Sequence, residues 1–87
     1  MNATKYQIFL KTVECGSFTK AAADLNFSQS GISHAISSLE EELGVTLLSR
    51  NRGGVTLTGD GRALLPQIQQ LCTEYHRLAQ QAADLRG

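Results

Sequence analysis

Short uncharged polar side chains cluster on one side of the predicted third helix. At 3.6 residues per turn, Ser30, Ser33, His34 and Ser37 form one stripe. Hydroxyl and imidazole groups in such a row can donate and accept hydrogen bonds without a fixed charge. No Asp or Glu occurs between residues 25 and 39. This chemistry suits recognition of another polar surface, and the competing interpretation is an ordinary solvated helix face.

The other chemistry-bearing residues do not build a catalytic or metal site. Glu40, Glu41 and Glu42 are consecutive, so on a helix they cannot converge on one ion, and we expect a solvated helix end. Cys15 and Cys72 form no C-x-x-C pair, and we expect free thiols that act as small buried hydrophobes. The sequence shows no catalytic set of a nucleophile, a general base and an orienting residue. We therefore expect no enzymatic activity, no cofactor and no bound metal.

The hydrophobic pattern predicts three helices in the first half of the chain. The first covers residues 4–14 and stops at Gly16, and its buried face carries Ile8, Phe9, Thr12 and Val13. The second covers residues 18–25 and ends at Asn26, which tolerates a left-handed backbone. The third has Ser28 as its N-cap and runs to residue 43, with a buried stripe of Ile32, Ile36, Leu39 and Leu43.

Two short strands and a long helix are predicted next. Residues 45–50 and 55–58 are joined by residues 51–54, whose two glycines allow the positive φ of a hairpin turn. Residues 59–85 carry a heptad seam, consisting of Leu64, Ile68, Leu71, Tyr75, Leu78, Ala82 and Leu85. Pro66 should kink the first turns or delay the start of this helix. Packing onto the chain's own core can explain only the beginning of the seam, so we expect a partner helix.

Composition is compatible with one small domain. The 87 residues are 41% hydrophobic, and eight basic and eight acidic residues give a net charge of zero. Neutrality argues against a nucleic-acid partner, but the charges are unevenly spread, with Arg50, Arg52 and Arg62 close together. No apolar run approaches the roughly 18 residues that span a bilayer, and no leader opens the chain, so we expect a cytoplasmic protein without a membrane partner.

The order of residues around the second and third helices fits a helix-turn-helix. This motif needs a small residue at the helix crossing, a turn residue with positive φ and apolar residues around the turn, which are met by Ala22, Asn26, Leu25, Phe27, Ile32 and Ala35. Further matching pieces are Gly16-Ser17-Phe18-Thr19-Lys20-Ala21-Ala22, Ser28-Gln29-Ser30, Ile32-Ser33, Leu43-Gly44-Val45, Leu47-Leu48, Arg50, Leu57-Thr58 and Gly61. Through these residues the chain resembles the N-terminal DNA-binding domain of LysR-type transcription regulators.

The resemblance implies a mainly α fold, a winged helix-turn-helix of three helices plus a two-stranded wing, followed by a long dimerisation helix. It divides the chain into a DNA-binding part, residues 1–58, and a linker helix, residues 59–87. The third helix would enter the major groove of double-stranded DNA. The implied DNA contacts are Thr19, Lys20, Ser28, Gln29, Ser30, Ser33, His34, Ser37, Arg50 and Arg52.

Several of these contacts have alternatives. Lys20 is equally well explained as a solvated lysine, and Arg50 as surface charge or as a partner of Glu40. Many family members carry arginine at the position of Gly53, so Arg52 is the alternative cation for the minor groove.

The resemblance also implies partners. We expect a homodimer on a near-palindromic operator, and a small-molecule effector that binds a further α/β domain absent from this chain. The rival interpretations are a helix-turn-helix that binds only proteins, favoured by the zero net charge, and a purely structural dimerisation segment.

Overall fold

Four helices and two strands follow one another in residues 4–87, the part of the chain that the computed structural model describes. The elements are α1 (Thr4–Cys15), α2 (Phe18–Leu25), α3 (Gln29–Leu43), β1 (Leu48–Asn51), β2 (Gly54–Leu57) and α4 (Gly59–Arg86). The predicted mainly α fold with a two-stranded wing is confirmed.

The core lies where α1, α2 and α3 meet. Phe9, Ile32 and Leu39 are fully buried there, because the apolar stripes of the helices face one another, and Leu47, just before β1, is fully buried as well. Thr12 is buried as well, and its hydroxyl donates a hydrogen bond of 2.7 Å to the Ile8 carbonyl. The predicted faces are largely confirmed, although Leu43 at the end of α3 is exposed.

The turn between α2 and α3 has the predicted geometry. Asn26 adopts the left-handed conformation, with φ 59° and ψ 43°. The amide of Phe27 donates to the Ala22 carbonyl at 2.9 Å, so the backbone reverses without losing this bond. Ser28 caps α3 by accepting the Gly31 amide at 3.0 Å, and Gly44 closes the helix with φ 75°.

The wing is shorter than predicted at its first strand. β1 and β2 are antiparallel and pair Leu48 with Leu57 and Asn51 with Gly54, but residues 45–47 are not a strand. At the start of β1, Glu40 Oε2 accepts the amides of Leu47 at 2.6 Å and Leu48 at 3.1 Å. A side chain of α3 therefore takes the hydrogen bonds at the start of the wing.

The wing is also attached to the loop between α1 and α2. The Val55 amide donates to the Gly16 carbonyl at 3.1 Å. Of the two turn glycines, Gly54 alone has a positive φ, +125°, and a Cβ there would collide with the Gly16 carbonyl oxygen. Gly54 is thus required by the close approach of two backbones.

The long helix α4 begins at once rather than late. Thr58 caps it by accepting the Gly61 amide at 2.9 Å, and Pro66 lies within the continuous helix, so the predicted delay of its start is wrong. Proline is tolerated because the loss is a single backbone hydrogen bond on an exposed face. Gly61, Ile68 and Cys72 are buried against the core.

Candidate nucleic-acid interface

One face of α3 is polar and solvent-facing along the first half of the helix. Ser30, His34 and Ser37 are exposed and Ser33 is half-buried, whereas Ile32, Ile36 and Leu39 on the opposite face are buried. The amphipathic split that the sequence indicates is therefore present. We call the exposed side, together with Ser28 and Gln29 in the first turn, the polar face of α3.

The first turn of α3 is organised by its own hydroxyl groups. Ser28 Oγ accepts the Gly31 amide and lies 3.2 Å from Ser30 Oγ, so the two serines share a hydrogen bond. Both residues are exposed. Ser28 therefore serves first as a helix cap, and its DNA role would be additional to that function.

Gln29 connects the polar face of α3 to α2. Its Nε2 donates to Thr19 Oγ1, so two predicted contact residues from different helices are brought together. Lys20 follows at the start of α2, where its side chain is exposed and its amide donates to Ser17 Oγ at 3.3 Å. The helix-turn-helix thus brings Thr19 of α2 and Gln29 of α3 into contact, and Lys20 follows Thr19 in the chain.

Arg50 reaches from β1 to both helices of the motif. Its Nη2 donates to Ser33 Oγ at 2.7 Å, and its guanidinium carbon lies 4.0 Å from the centre of the Phe18 ring. The alternative pairing with Glu40 is wrong, because that carboxylate accepts the amides of Leu47 and Leu48 instead.

A polar cleft lies between these side chains. It has a volume of about 360 Å³ and is lined by Phe18, Gln29, Ser30, Ser33 and Arg50. Arg50 is the only charged residue of this lining, so the cleft is cationic and rich in hydrogen-bond donors. Such a lining suits an anionic or acceptor-rich ligand.

Arg52 lies at the tip of the wing. It occupies the hairpin turn beside Gly53, whose amide donates to Asn51 Oδ1 at 3.0 Å. Within residues 4–87 its side chain forms neither a hydrogen bond nor an ion pair. The cation is exposed to solvent, and Arg52 is not part of the cleft lining.

The glutamate run is only in part the solvated helix end that the sequence predicts. Glu41 and Glu42 are exposed, as expected, but Glu40 is half-buried and binds the amides at the wing, and Glu42 is also paired with α1. Lys5 Nζ lies 2.7 Å from Glu42 Oε1, and the Tyr6 hydroxyl donates to Oε2 at 2.6 Å. Both partners lower the pKa of Glu42, and the hydrogen bond to the carboxylate raises the pKa of Tyr6 to about 12.

The cysteines differ in their surroundings. Cys72 is buried, as expected, and burial raises the pKa of its thiol. Cys15 is only half-buried, with its Sγ 3.5 Å from Asp24 Oδ2, and desolvation and this carboxylate raise its pKa. Both thiols are free.

Residues 4–87 contain no group of three or more His, Cys, Asp or Glu that could hold a metal ion.

The predicted dimer seam is divided between two environments. Ile68 is buried in the chain's own core, and Leu64 and Leu71 are half-buried at an apolar groove of about 220 Å³. The later seam residues are exposed, with 39% for Tyr75, 66% for Leu78 and 83% for Leu85, and Ala82 is exposed too.

No described helix is long and apolar enough to span a membrane.

This arrangement of a helix-turn-helix, a two-stranded wing and a long final helix defines a winged helix-turn-helix DNA-binding domain. A model of the lysR family of bacterial regulatory helix-turn-helix proteins matches residues 4–62. The chain belongs to this family of transcription regulators.

Relatives and solved structures agree with the assignment. An HTH-type transcriptional regulator of Bacillus subtilis, YvbU, is 41% identical over 88 residues. The probable HTH-type transcriptional regulator LrrA of Synechococcus elongatus is 48% identical over 71 residues. These matches cover 100% and 82% of this chain but only 30% and 24% of the relatives. The relatives are regulators rather than enzymes, as the residue pattern had indicated.

Several of the similar crystal structures contain DNA, among them the following two. A complex of the CbnR DNA-binding domain with DNA superposes with a TM-score of 0.88 at 29% identity, covering 100% of both chains. A complex of the BenM DNA-binding domain with its catB site 1 DNA gives a TM-score of 0.89 at 31% identity, covering 100% of this chain and 98% of that one. The shared fold thus includes the long final helix.

Proposed function

We propose that this domain binds double-stranded DNA sequence-specifically, with the polar face of α3 in the major groove and the wing on the sugar-phosphate backbone. The observation that carries this proposal is the acid-free polar face of α3 beside the cations of the wing. Short neutral donors and acceptors are suited to base edges, and arginines to phosphates. The proposed contacts are Thr19, Lys20, Ser28, Gln29, Ser30, Ser33, His34, Ser37, Arg50 and Arg52.

We also propose that residues 1–58 read DNA while the helix of residues 59–87 joins two copies into a twofold dimer. Support comes from the exposed apolar side chains of α4, among them Leu78 and Leu85. A twofold dimer presents two recognition helices to two half-sites, so the operator would be near-palindromic. In the whole protein, we propose a cytoplasmic, nucleoid-associated regulator whose further domain binds a small-molecule effector.

DNA binding is tested by selecting bound fragments from random duplexes and measuring affinity against salt. We expect a near-palindromic consensus and an affinity that falls by about 0.9 decades per decade of salt for each phosphate neutralised. His34→Ala should cost about 1–3 kcal/mol on the preferred site and relax one base position, whereas Arg52→Ala should weaken all duplexes alike. Absence of duplex binding at low salt would instead support the protein-interaction module suggested by the zero net charge.

The dimer is tested by adding charge to opposite sides of α4. Leu78→Lys combined with Leu85→Lys should yield monomers in sedimentation, because two cations would enter the apolar seam. Affinity for the full palindrome should drop by roughly 100-fold or more, since the second half-site is no longer bound intramolecularly. Thr73→Lys with Ala83→Lys is the matched control, and dissociation of that variant too would contradict the proposed seam.

A further inference from the structure

Arg50 joins three elements through one side chain. It extends from β1, donates to Ser33 on α3 at 2.7 Å, and stacks over Phe18 at the start of α2 at 4.0 Å. Stacking on an aromatic face and a directed hydrogen bond together restrict a planar guanidinium. Arg52, two residues along the same wing, has no such contact within residues 4–87 and serves as an internal comparison.

The bond to Arg50 changes what Ser33 can offer to a ligand. A guanidinium only donates, so one lone pair of Ser33 Oγ is taken and the hydroxyl proton must point away from the cation. Ser33 also lines the cleft, so a ligand there meets a hydroxyl that keeps its proton and one lone pair, with the proton directed away from the cation. In the major groove this proton can be accepted by guanine O6 or N7, adenine N7 or thymine O4, whereas cytosine presents only its amino donor there.

We propose that Arg50 is a positioning residue that orients the Ser33 hydroxyl, leaving its proton free for a base, and holds the wing against α3, so that it sets the preference at the base pair read by Ser33. This role rests on the proposed function, since it needs the polar face of α3 in the major groove. The net effect is that a wing residue determines specificity through the recognition helix.

Four variants of the chain test this role. Ser33→Ala removes the hydroxyl, Arg50→Lys keeps the charge but loses the planar fork, and Phe18→Leu keeps an apolar side chain but removes the ring. Arg52→Lys is the matched control. Each variant is titrated against the selected duplex and against duplexes with one base pair changed, at several salt concentrations.

Ser33→Ala should reduce discrimination at one base pair by about threefold to tenfold, the worth of one hydrogen bond. Arg50→Lys and Phe18→Leu should reduce discrimination at that same base pair, with an unchanged salt slope. The double variant of Ser33→Ala with Arg50→Lys should be no worse there than either single variant, because both remove one shared interaction. Arg52→Lys should leave this base pair unaffected.

A spectroscopic measurement in the free protein checks the geometry separately from DNA. The Arg50 side-chain Nε–H resonance should be shifted by the Phe18 ring current, and the shift should vanish in Phe18→Leu. Loss of affinity for every duplex alike in Arg50→Lys, or additive effects in the double variant, would overturn the positioning role and leave Arg50 with a phosphate contact only. If the unaltered chain binds no duplex, the proposed function fails and this role falls with it.

Discussion

The two halves of α4 have the same apolar spacing but opposite surroundings. From Gly59 to Cys72 the helix packs on the winged core, with Ile68 only 4% exposed and Gly61 buried against the Leu47 carbonyl. From Thr73 onward every residue is exposed. Heptad spacing therefore predicts that a face will be covered, but it does not say whether the chain itself or another molecule covers it.

The difference has an energetic consequence. A helix of about 14 residues without tertiary contacts is marginal in water, so the second half of α4 depends on continuity with the packed half or on a partner. The first half gains burial from residues such as Ile68 and Cys72. In the monomer, stability should therefore be concentrated before residue 73.

The largest expected effect comes from truncating one apolar side chain to alanine in each half of α4. Ile68→Ala should lower the free energy of unfolding by about 2–5 kcal/mol, because it leaves a cavity in the core. Leu78→Ala should change it by less than about 0.5 kcal/mol in the monomer, because the side chain is already exposed. Urea unfolding at a concentration where sedimentation shows monomers measures both. Equal losses would show that the two halves do not differ in this way.

A smaller effect is expected where α4 first meets the wing. A Cβ at Gly61 would collide with the Leu47 carbonyl oxygen, whereas one at Gly59 would meet nothing within 4 Å. Gly61→Ala should therefore cost about 1–3 kcal/mol by overpacking. Gly59→Ala, in the same helical turn, should stabilise by about 0.5–1 kcal/mol through the better helix propensity of alanine. If both variants unfold at the same urea concentration, the close approach does not constrain α4.

Features set by neighbouring residues could be predicted from the sequence. The left-handed Asn26, the Ser28 cap and the stop at Gly44 each depend on a few adjacent residues, and all three are confirmed. The polar face of α3 followed from helical periodicity alone, and it is likewise present.

Features set by residues distant in sequence could not be predicted. Glu40 binds the backbone amides seven and eight residues ahead, where the first wing strand begins, and such a bond leaves no periodic pattern in the sequence. Arg50 has Ser33 and Phe18 as partners, 17 and 32 positions away, rather than the expected carboxylate. Sequence patterns indicated which residues belong to the candidate interface, but not which of them form contacts with one another.

The smallest expected effect is a pH dependence of stability that arises from the contact between α1 and α3. Glu42 ties α3 to Lys5 and Tyr6 of α1, and these partners lower its pKa from the ordinary value of 4.5. A lowered carboxylate pKa contributes stability that is present above pH 4.5 and is lost as the pH falls through the folded-state value. The raised pKa of Tyr6, about 12 against 10.0, contributes stability that is lost as the pH rises through 12.

Glu42→Gln should remove the loss of stability that accompanies protonation of this carboxylate at low pH, because the neutral amide does not take up a proton there. Glu41→Gln, the exposed neighbour, should leave it intact. Urea midpoints between about pH 2 and pH 7, the range in which carboxylates titrate, measure the difference. In the exposed half of α4, from Thr73 onward, Arg77 forms an ion pair with Glu74. Both residues belong to one helix, so breaking this pair should not separate packed elements. Parallel pH profiles for the unaltered chain and Glu42→Gln would mean that the contact between α1 and α3 does not respond to this carboxylate.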